Sequence, residues 1–147
     1  MRIKIKFNTP EVFSAQIKVR ISDINYGGHV GNDSILSIVH EARLAFLNQW
    51  NYNEMNAAGC GLIMADSAIQ YKAESFHGDI ITVGLSIDNI TSVSFDMFYK
   101  LTVKRNDKVV DIAYAKTGMI AFDYSTRSIM QIPDELKSKL RNDGSYF

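Results

Sequence analysis

The sequence is poor in several things, and each shortage closes off a class of protein. It has one cysteine, Cys60, in 147 residues. One cysteine makes no intrachain disulfide and no pair of thiolate ligands, so a disulfide scaffold and a zinc ribbon are both excluded. A reducing compartment is the economical setting. Cys60, within AAGCGL, is expected as a small buried apolar side chain rather than a nucleophile. Two prolines, Pro10 and Pro133, are too few for a disordered chain. Neither sign of charge is in excess: 16 basic and 16 acidic residues give a formal net charge of zero. That balance lacks the basic footprint of a nucleic-acid binder and leaves little repulsion to oppose self-association. No apolar run approaches the ~20 residues of a membrane span. The opening MRIKIKF alternates charge with apolarity where a signal peptide has an apolar core. A cytoplasmic protein is expected. The three histidines, His29, His40 and His77, have no metal-ligand spacing, and no metal or cofactor is implied. Phosphate-loop, dinucleotide-binding and serine-elbow glycine motifs are all missing.

What is present is 46% apolar residue content, enough for the core of one domain spanning 1–147. Residues 2–7, RIKIKF, read as a short edge strand or an ordered arm. Phe13 to Ile21 alternate with polar residues at period two, a half-buried strand that stops at Asp23. The second half is strand after strand: Leu62–Ala73, Ile81–Ile87 and Val93–Val103, then a hairpin turn at 105–108 into Val109–Phe122. Phe98 is the only misfit in its strand. A turn at DYSTRS and a short last helix after Pro133 close the chain, with Asp134 and Glu135 in that helix's first turn.

The stretch between the first strand and the second half organises the rest. Asp23 to Asp33 is a polar loop with an aspartate at each end, two asparagines, a histidine and three glycines. Asn32, Asp33 and Ser34 are all good N-cap residues, and a long apolar helix starts among them and runs to Trp50. At ~100° per residue, Ser37, Glu41 and Asn48 share a narrow polar strip with His40 at its border. Arg43 lies on another side, so it does not pair with Glu41. The helix is apolar beyond what one sheet face covers, which points to a second copy of the chain nearby.

These residues carry a resemblance. VRISDINYGGHVGNDSIL at Val19–Leu36 is similar to the strand, D-x-D, Gly-His-Val, Asn and helix start of the hotdog-fold acyl-CoA thioesterases, in the 4-hydroxybenzoyl-CoA thioesterase group. Glu41-Ala42-Arg43 is similar to that family's E-x-R, Tyr71 to Gly78-Asp79 to its strand-end pattern, and Ile132-Pro133 to the start of its last helix. The resemblance implies an α+β hotdog fold: an antiparallel sheet of about five or six strands wrapped around one long central helix. It implies a homodimer or a dimer of dimers, acyl-CoA as substrate, and thioester hydrolysis at a dimer interface near the helix N-terminus. Coenzyme A is then part of the substrate rather than a cofactor.

Two positions depart from the family pattern. Asn25 stands where the second acid of D-x-D is the catalytic carboxylate in many members, and Gly31 stands where an asparagine is common. Asparagine orients a water or a carbonyl but is no general base near pH 7. The candidate catalytic residues are therefore Asp23 or Glu41 as base, with Asn25 and His29 positioning. Asp23 has the competing role of capping local N–H groups, Glu41 of pairing with an arginine, and His29 of shaping the turn. Thioester hydrolysis also needs donors aimed at the oxygen that becomes negative. Backbone N–H groups from Gly31 to Asp33 offer these, Asn32 first. Gly28, Gly31, Asn32 and Asp33 are the candidate substrate-binding residues, although the glycines also fit a plain tight turn. A non-catalytic acyl-CoA or acyl-carrier binding protein is the alternative that Asn25 favours. A hotdog enoyl-CoA hydratase is a lesser one, because the family's D-x-N-P-x-H lacks its proline here and His29 is one residue late.

Overall fold

The computed structural model describes residues 1–142, so the single domain expected for 1–147 extends beyond the described part. The elements are β1 (Phe13–Lys18), α1 (Asn32–Asn48), β2 (Gly61–Tyr71), β3 (Ile80–Asp88), β4 (Ser94–Arg105), β5 (Lys108–Asp123), β6 (Ser128–Ile129) and α2 (Asp134–Arg141). A single 3-10 turn, Ile21–Asp23, lies between β1 and α1. The strands form one sheet in the order β1-β3-β4-β5-β2, with β6 added to β5. Every pairing is antiparallel.

Period-two alternation sorts the faces. In β4, Phe95, Met97, Tyr99, Leu101 and Val103 are buried, while Asp96, Phe98 and Lys100 point the other way. Burying each large apolar side chain contributes about 1.5–3 kcal/mol relative to exposure. Phe98 is no misfit once the N-terminal arm is seen. The arm is not a strand, and its Phe7 ring meets Phe98 and Tyr114 edge-on at 6.3 and 5.2 Å, on the outer face. The β4–β5 hairpin turns through Asn106 and Asp107 at φ 50° and 64°, the two left-handed residues that a type I′ turn requires.

Helix α1 packs its Ile35, Ile38, Val39, Ala42, Phe46 and Leu47 into the core. The Phe46 ring meets Phe13 of β1 at 5.7 Å. Ser37, His40, Glu41 and Asn48 form the exposed strip. The one long central helix expected from the sequence is corrected: α1 has 17 residues and stops at Asn48, short of Trp50. The cause is local. Asn51 takes the left-handed conformation at φ 59°, and the Tyr52 N–H turns back to the Leu47 carbonyl. β1 also ends earlier than its alternation predicts, at Lys18 rather than near Asp23. The Asp23 carboxylate accepts the Arg20 N–H at 2.8 Å and closes the 3-10 turn in place of three more strand residues.

Two further details position the site. β5 is bulged at Ile112, where the register to β4 slips between Leu101 and Thr102. The Ile112 carbonyl accepts the N–H groups of Lys72 and Ala73, which ends β2 and turns the chain toward the start of α1. Helix α2 begins after Pro133, buries Leu136 and Leu140, and receives the Tyr52 hydroxyl on Glu135.

Candidate active site

The loop before α1 is a small hairpin. Ile24 and Val30 pair across it. The Asn25 N–H donates to the His29 carbonyl at 2.9 Å, and the Gly28 N–H to the Asn25 carbonyl at 3.1 Å. Gly28 sits at φ +84°, which side chains rarely tolerate. Asn25 Oδ1 accepts the Gly27 N–H at 2.9 Å, so its amide nitrogen is left for the cleft. A Cβ on Gly27 would lie 3.3 Å from both Asn25 Oδ1 and His29 Nε2. The glycine thus lets the two candidate side chains stand together.

Asn25, His29 and Asn32 line one side of a cleft of about 370 Å³. Tyr71 and Glu74 stand on the other, and Val30, Ile35, Ala73 and Ile112 make it apolar within. His29 Nδ1 lies 3.3 Å from the Val30 carbonyl, a partner for a donating Nδ1–H. In the neutral ring that leaves Nε2 with its lone pair, and Nε2 is 3.8 Å from Glu74 Oε1. At the start of α1, the Asn32 N–H has no partner among the described residues, while the Asn32 carbonyl accepts the Tyr71 hydroxyl at 3.0 Å. A free N–H at the positive end of a 17-residue helix is suited to a developing oxyanion.

Glu74 reaches this place because the loop carrying it is tied down. Arg105 donates to the Glu74 carbonyl at 2.9 Å, and the Val30 N–H donates to the Ser75 carbonyl at 2.8 Å. Asp79 Oδ2 accepts the Ser75 hydroxyl, the Phe76 N–H and the Arg105 guanidinium at 2.9, 2.9 and 2.8 Å. Burial pushes the Asp79 carboxyl up, but these donors outweigh it and hold it below the usual carboxylate range. Sequence reasoning missed both Glu74 and the cleft role of Tyr71. Both fall inside the Tyr71–Asp79 stretch that carries the family resemblance, which was the available signal.

The four candidate catalytic residues divide between two places. Asn25 and His29 line the cleft just described. Asp23 and Glu41 line a separate cleft of about 270 Å³, together with Lys18, Arg20 and Ser37. Asp23 is 6% exposed, caps the Arg20 N–H, and accepts the Gly31 N–H on its carbonyl at 3.0 Å. Of the substrate-binding candidates, Asn32 lines the first cleft. Gly28 is exposed outside its lining, and Gly31 is buried with its N–H already spent. The Asp33 carboxylate packs back on Gly31, only 2.6 Å from where a Cβ would stand.

The two charged residues of Glu41-Ala42-Arg43 part company. Arg43 is 4% exposed and pairs with Glu54 at 2.9 Å, while its Nη1 donates to the Tyr99 hydroxyl at 3.3 Å. Burial opposes the Arg43 charge, and Tyr99 and Glu54 outweigh it. Tyr99 continues the chain to Thr117 Oγ1 at 2.8 Å. Burial pushes the Cys60 thiol up to about 11, and its Sγ–H meets the Ala57 carbonyl. Among the described residues no group of three or more His, Cys, Asp and Glu side chains is placed to hold a metal ion. No helix among them is long and apolar enough to cross a membrane.

Solved structures share this architecture. A 1,4-dihydroxy-2-naphthoyl-CoA thioesterase from Synechocystis superposes with TM-score 0.78 at 20% identity, over 88% of this chain and 96% of that one. A thioesterase-superfamily protein from Jannaschia sp. CCS1 gives 0.78 at 19%, over 89% and 82%. The gentisyl-coenzyme A thioesterase BH1999 gives 0.74 at 18%, over 87% and 99%. At such identities the likeness carries the fold alone. No curated protein sequence matches the chain. The family model of the Thioesterase-like superfamily matches residues 19–140. That span holds the loop, α1, the whole sheet beyond β1 and nearly all of α2, and the chain belongs to the Thioesterase-like superfamily.

Proposed function

We propose that the protein hydrolyses acyl-CoA thioesters to the free acid and coenzyme A, in the cleft at the N-terminus of α1. The observation that carries this reading is the meeting of His29, Glu74 and the unpartnered Asn32 N–H around one cleft. Glu74 supplies there the carboxylate that the family pattern puts at position 25. The thioester carbonyl oxygen accepts the Asn32 N–H, with the Asn25 amide as a second donor. A water held between His29 Nε2 and Glu74 attacks the carbonyl carbon and gives its proton to Nε2. Glu74 stabilises the imidazolium that forms. The oxyanion collapses, the C–S bond breaks, and the departing thiolate takes the proton back from Nε2. A positioned general base is worth about 10²–10⁴ in rate and one oxyanion donor about 10²–10³.

Asp23 and Glu41, the other candidate bases, hold structural places in this scheme: a turn cap and a polar rim. The 4-hydroxybenzoyl-CoA thioesterase group is the subfamily that the motifs favour. A homodimer or dimer of dimers is part of the proposal, because the outer edge of β2 has no strand partner among the described residues and exposes Met64 at 43%. The specific ground for a second reading, an acyl-CoA binding protein without turnover, is Asn25 itself.

The test is thiol release from a panel of short, long and aromatic acyl-CoAs, with His29→Ala, Glu74→Gln, Asp23→Ala and Glu41→Ala beside the wild type. Turnover lost in the His29 and Glu74 variants and kept in the other two supports the scheme. Loss confined to the Asp23 or Glu41 variant moves the chemistry to the second cleft. Binding of acyl-CoA without turnover on any substrate establishes the binding protein instead.

A further inference from the structure

We propose that the N-terminal arm and Lys72 form an anion subsite that takes the phosphate-bearing nucleotide end of coenzyme A. The inference rests on the acyl-CoA reading and adds to it where the charged half of the substrate lies.

The arm is held across the outer face of the sheet at three points. Thr9 Oγ1 donates to the Ile87 carbonyl at 2.8 Å, beside β4 and β5 the Phe7 ring packs on Phe98 and Tyr114, and the Ile5 N–H donates to Gln70 Oε1 of β2 at 3.0 Å. Ile5 and Phe7 are half-buried by these anchors, while Arg2, Lys4 and Lys6 are exposed. Between the arm and the end of β2 lies another cleft, of about 620 Å³. Arg2, Lys4 and Lys72 line it together with Ile3, Ile69 and Tyr71. Tyr71 and Lys72 also line the cleft that holds His29, and in this proposal the two clefts join through these residues into one groove from the start of α1 to the arm.

The charge at the arm end of this groove is one-sided. Each charged side chain lining the arm cleft is a cation, and no acid among the described residues lines it. None of Arg2, Lys4 and Lys72 has an ion-pair partner among the described residues. Lys72 lies over the Tyr114 ring at 5.3 Å, which orders its stem without neutralising it. In a chain of zero net charge, three unpaired cations around one cleft are a local excess. Acyl-CoA has the matching polarity: a neutral thioester and pantetheine at one end, a pyrophosphate and a 3′-phosphate at the other. Arginine and lysine bind phosphate by charge-assisted hydrogen bonds. With the thioester at His29, the groove leads the rest of the molecule past Tyr71 toward these cations.

The experiment is calorimetric binding of coenzyme A and of pantetheine, which lacks the phosphates, to the full chain. The proteins are wild type, the Arg2→Gln/Lys4→Gln double variant, Lys72→Gln, and Lys108→Gln as a remote exposed cation. The wild type and Lys108→Gln are expected to bind coenzyme A at least about tenfold more tightly than pantetheine at low salt, a preference that weakens as salt screens it. The double variant and Lys72→Gln lose that preference. Equal affinity of the wild type for the two ligands overturns the subsite, and so does a preference that survives in the double variant. A wild type that prefers coenzyme A through the arm yet releases no thiol from any acyl-CoA refutes the hydrolase and leaves the subsite standing. Turnover without the preference does the reverse.

Discussion

Replacing Asp79 by asparagine tests how the site is held together. One oxygen, Oδ2, accepts three hydrogen bonds, from Ser75, Phe76 and Arg105. The Asp79→Asn side chain keeps an oxygen of the same size in the same place but loses the charge. Hydrogen bonds to a charged acceptor are worth about 1.5–3 kcal/mol and neutral ones about 0.5–1.5. The ion pair is partly wet, with the Asp79 and Arg105 side chains 21% and 31% exposed, so its share is discounted for screening. The net cost expected is about 1–2 kcal/mol at pH 7. The sign of the pH dependence follows from the carboxyl's position below its ordinary range. A depressed folded-state pKa gives stability that is full above about pH 4 and is lost as the pH falls through the folded value. A protonated Asp79 is close to an asparagine, so the gap between wild type and variant closes in acid. Urea melts at about pH 7 and about pH 3 measure it. With a slope near 2 kcal/mol/M, the neutral gap is a midpoint shift of about 0.5–1 M. Equal midpoints at pH 7, or a gap that does not narrow in acid, refute the reasoning. Because Asp79 fixes the loop that carries Glu74, the variant's kcat falls as well.

His29→Ala lowers kcat by about 10²–10⁴ with a much smaller change in KM, read by steady-state thiol release. Asn25→Asp in the wild-type background gives no gain, since Glu74 already supplies a carboxylate to the cleft. In a Glu74→Gln background the same change recovers activity, and a double variant as dead as Glu74→Gln contradicts the assignment. Arg43→Met takes one partner from each of Glu54 and Tyr99, which keep His40 and Thr117, and costs about 1–3 kcal/mol; chemical denaturation checks it. Cys60 resists alkylation at pH 8 until the chain is unfolded, because its thiol is buried and its ionisation is pushed up to about 11; mass spectrometry with and without urea decides this.

The sheet was legible because period-two alternation is a direct image of a half-buried strand. β4 reads off its buried row from Phe95 to Val103, and the Asn106-Asp107 turn was visible from residue type alone. The helix strip Ser37, Glu41 and Asn48 followed from 3.6 residues per turn, and all three are on the exposed side. Ends were less legible, since they depend on single bonds rather than on periods. β1 gives way to a turn because Asp23 captures the Arg20 N–H, and α1 stops because Asn51 turns left-handed. Half of the site was readable for the same kind of reason. Asn25, His29 and Asn32 sit in one short loop, where proximity in sequence is proximity in space. Glu74 comes from the far end of β2, through the Ile112 bulge and the Asp79 clasp, and no period in the sequence reports either device.

The loop and the clasp together explain how this chain can carry asparagine at position 25. Asn25 is locked by its own hairpin: Oδ1 takes the Gly27 N–H, and the backbone is pinned to His29 on one side and Gly28 on the other. Its free group is an N–H₂, a donor to an oxygen and never a proton acceptor. A site built only from that loop and the α1 terminus would hold donors and one imidazole, with nothing to balance an imidazolium. In the proposed scheme the missing negative charge comes from across the cleft, on a loop that Asp79 and Arg105 hold and that the Val30–Ser75 hydrogen bond ties to the start of α1. The two walls are thus one mechanical unit, although far apart in sequence. An aspartate at 25 with Glu74 in place would set two carboxylates around one imidazole. In that scheme, the wall that provides the carboxylate is what distinguishes this chain from the pattern it resembles.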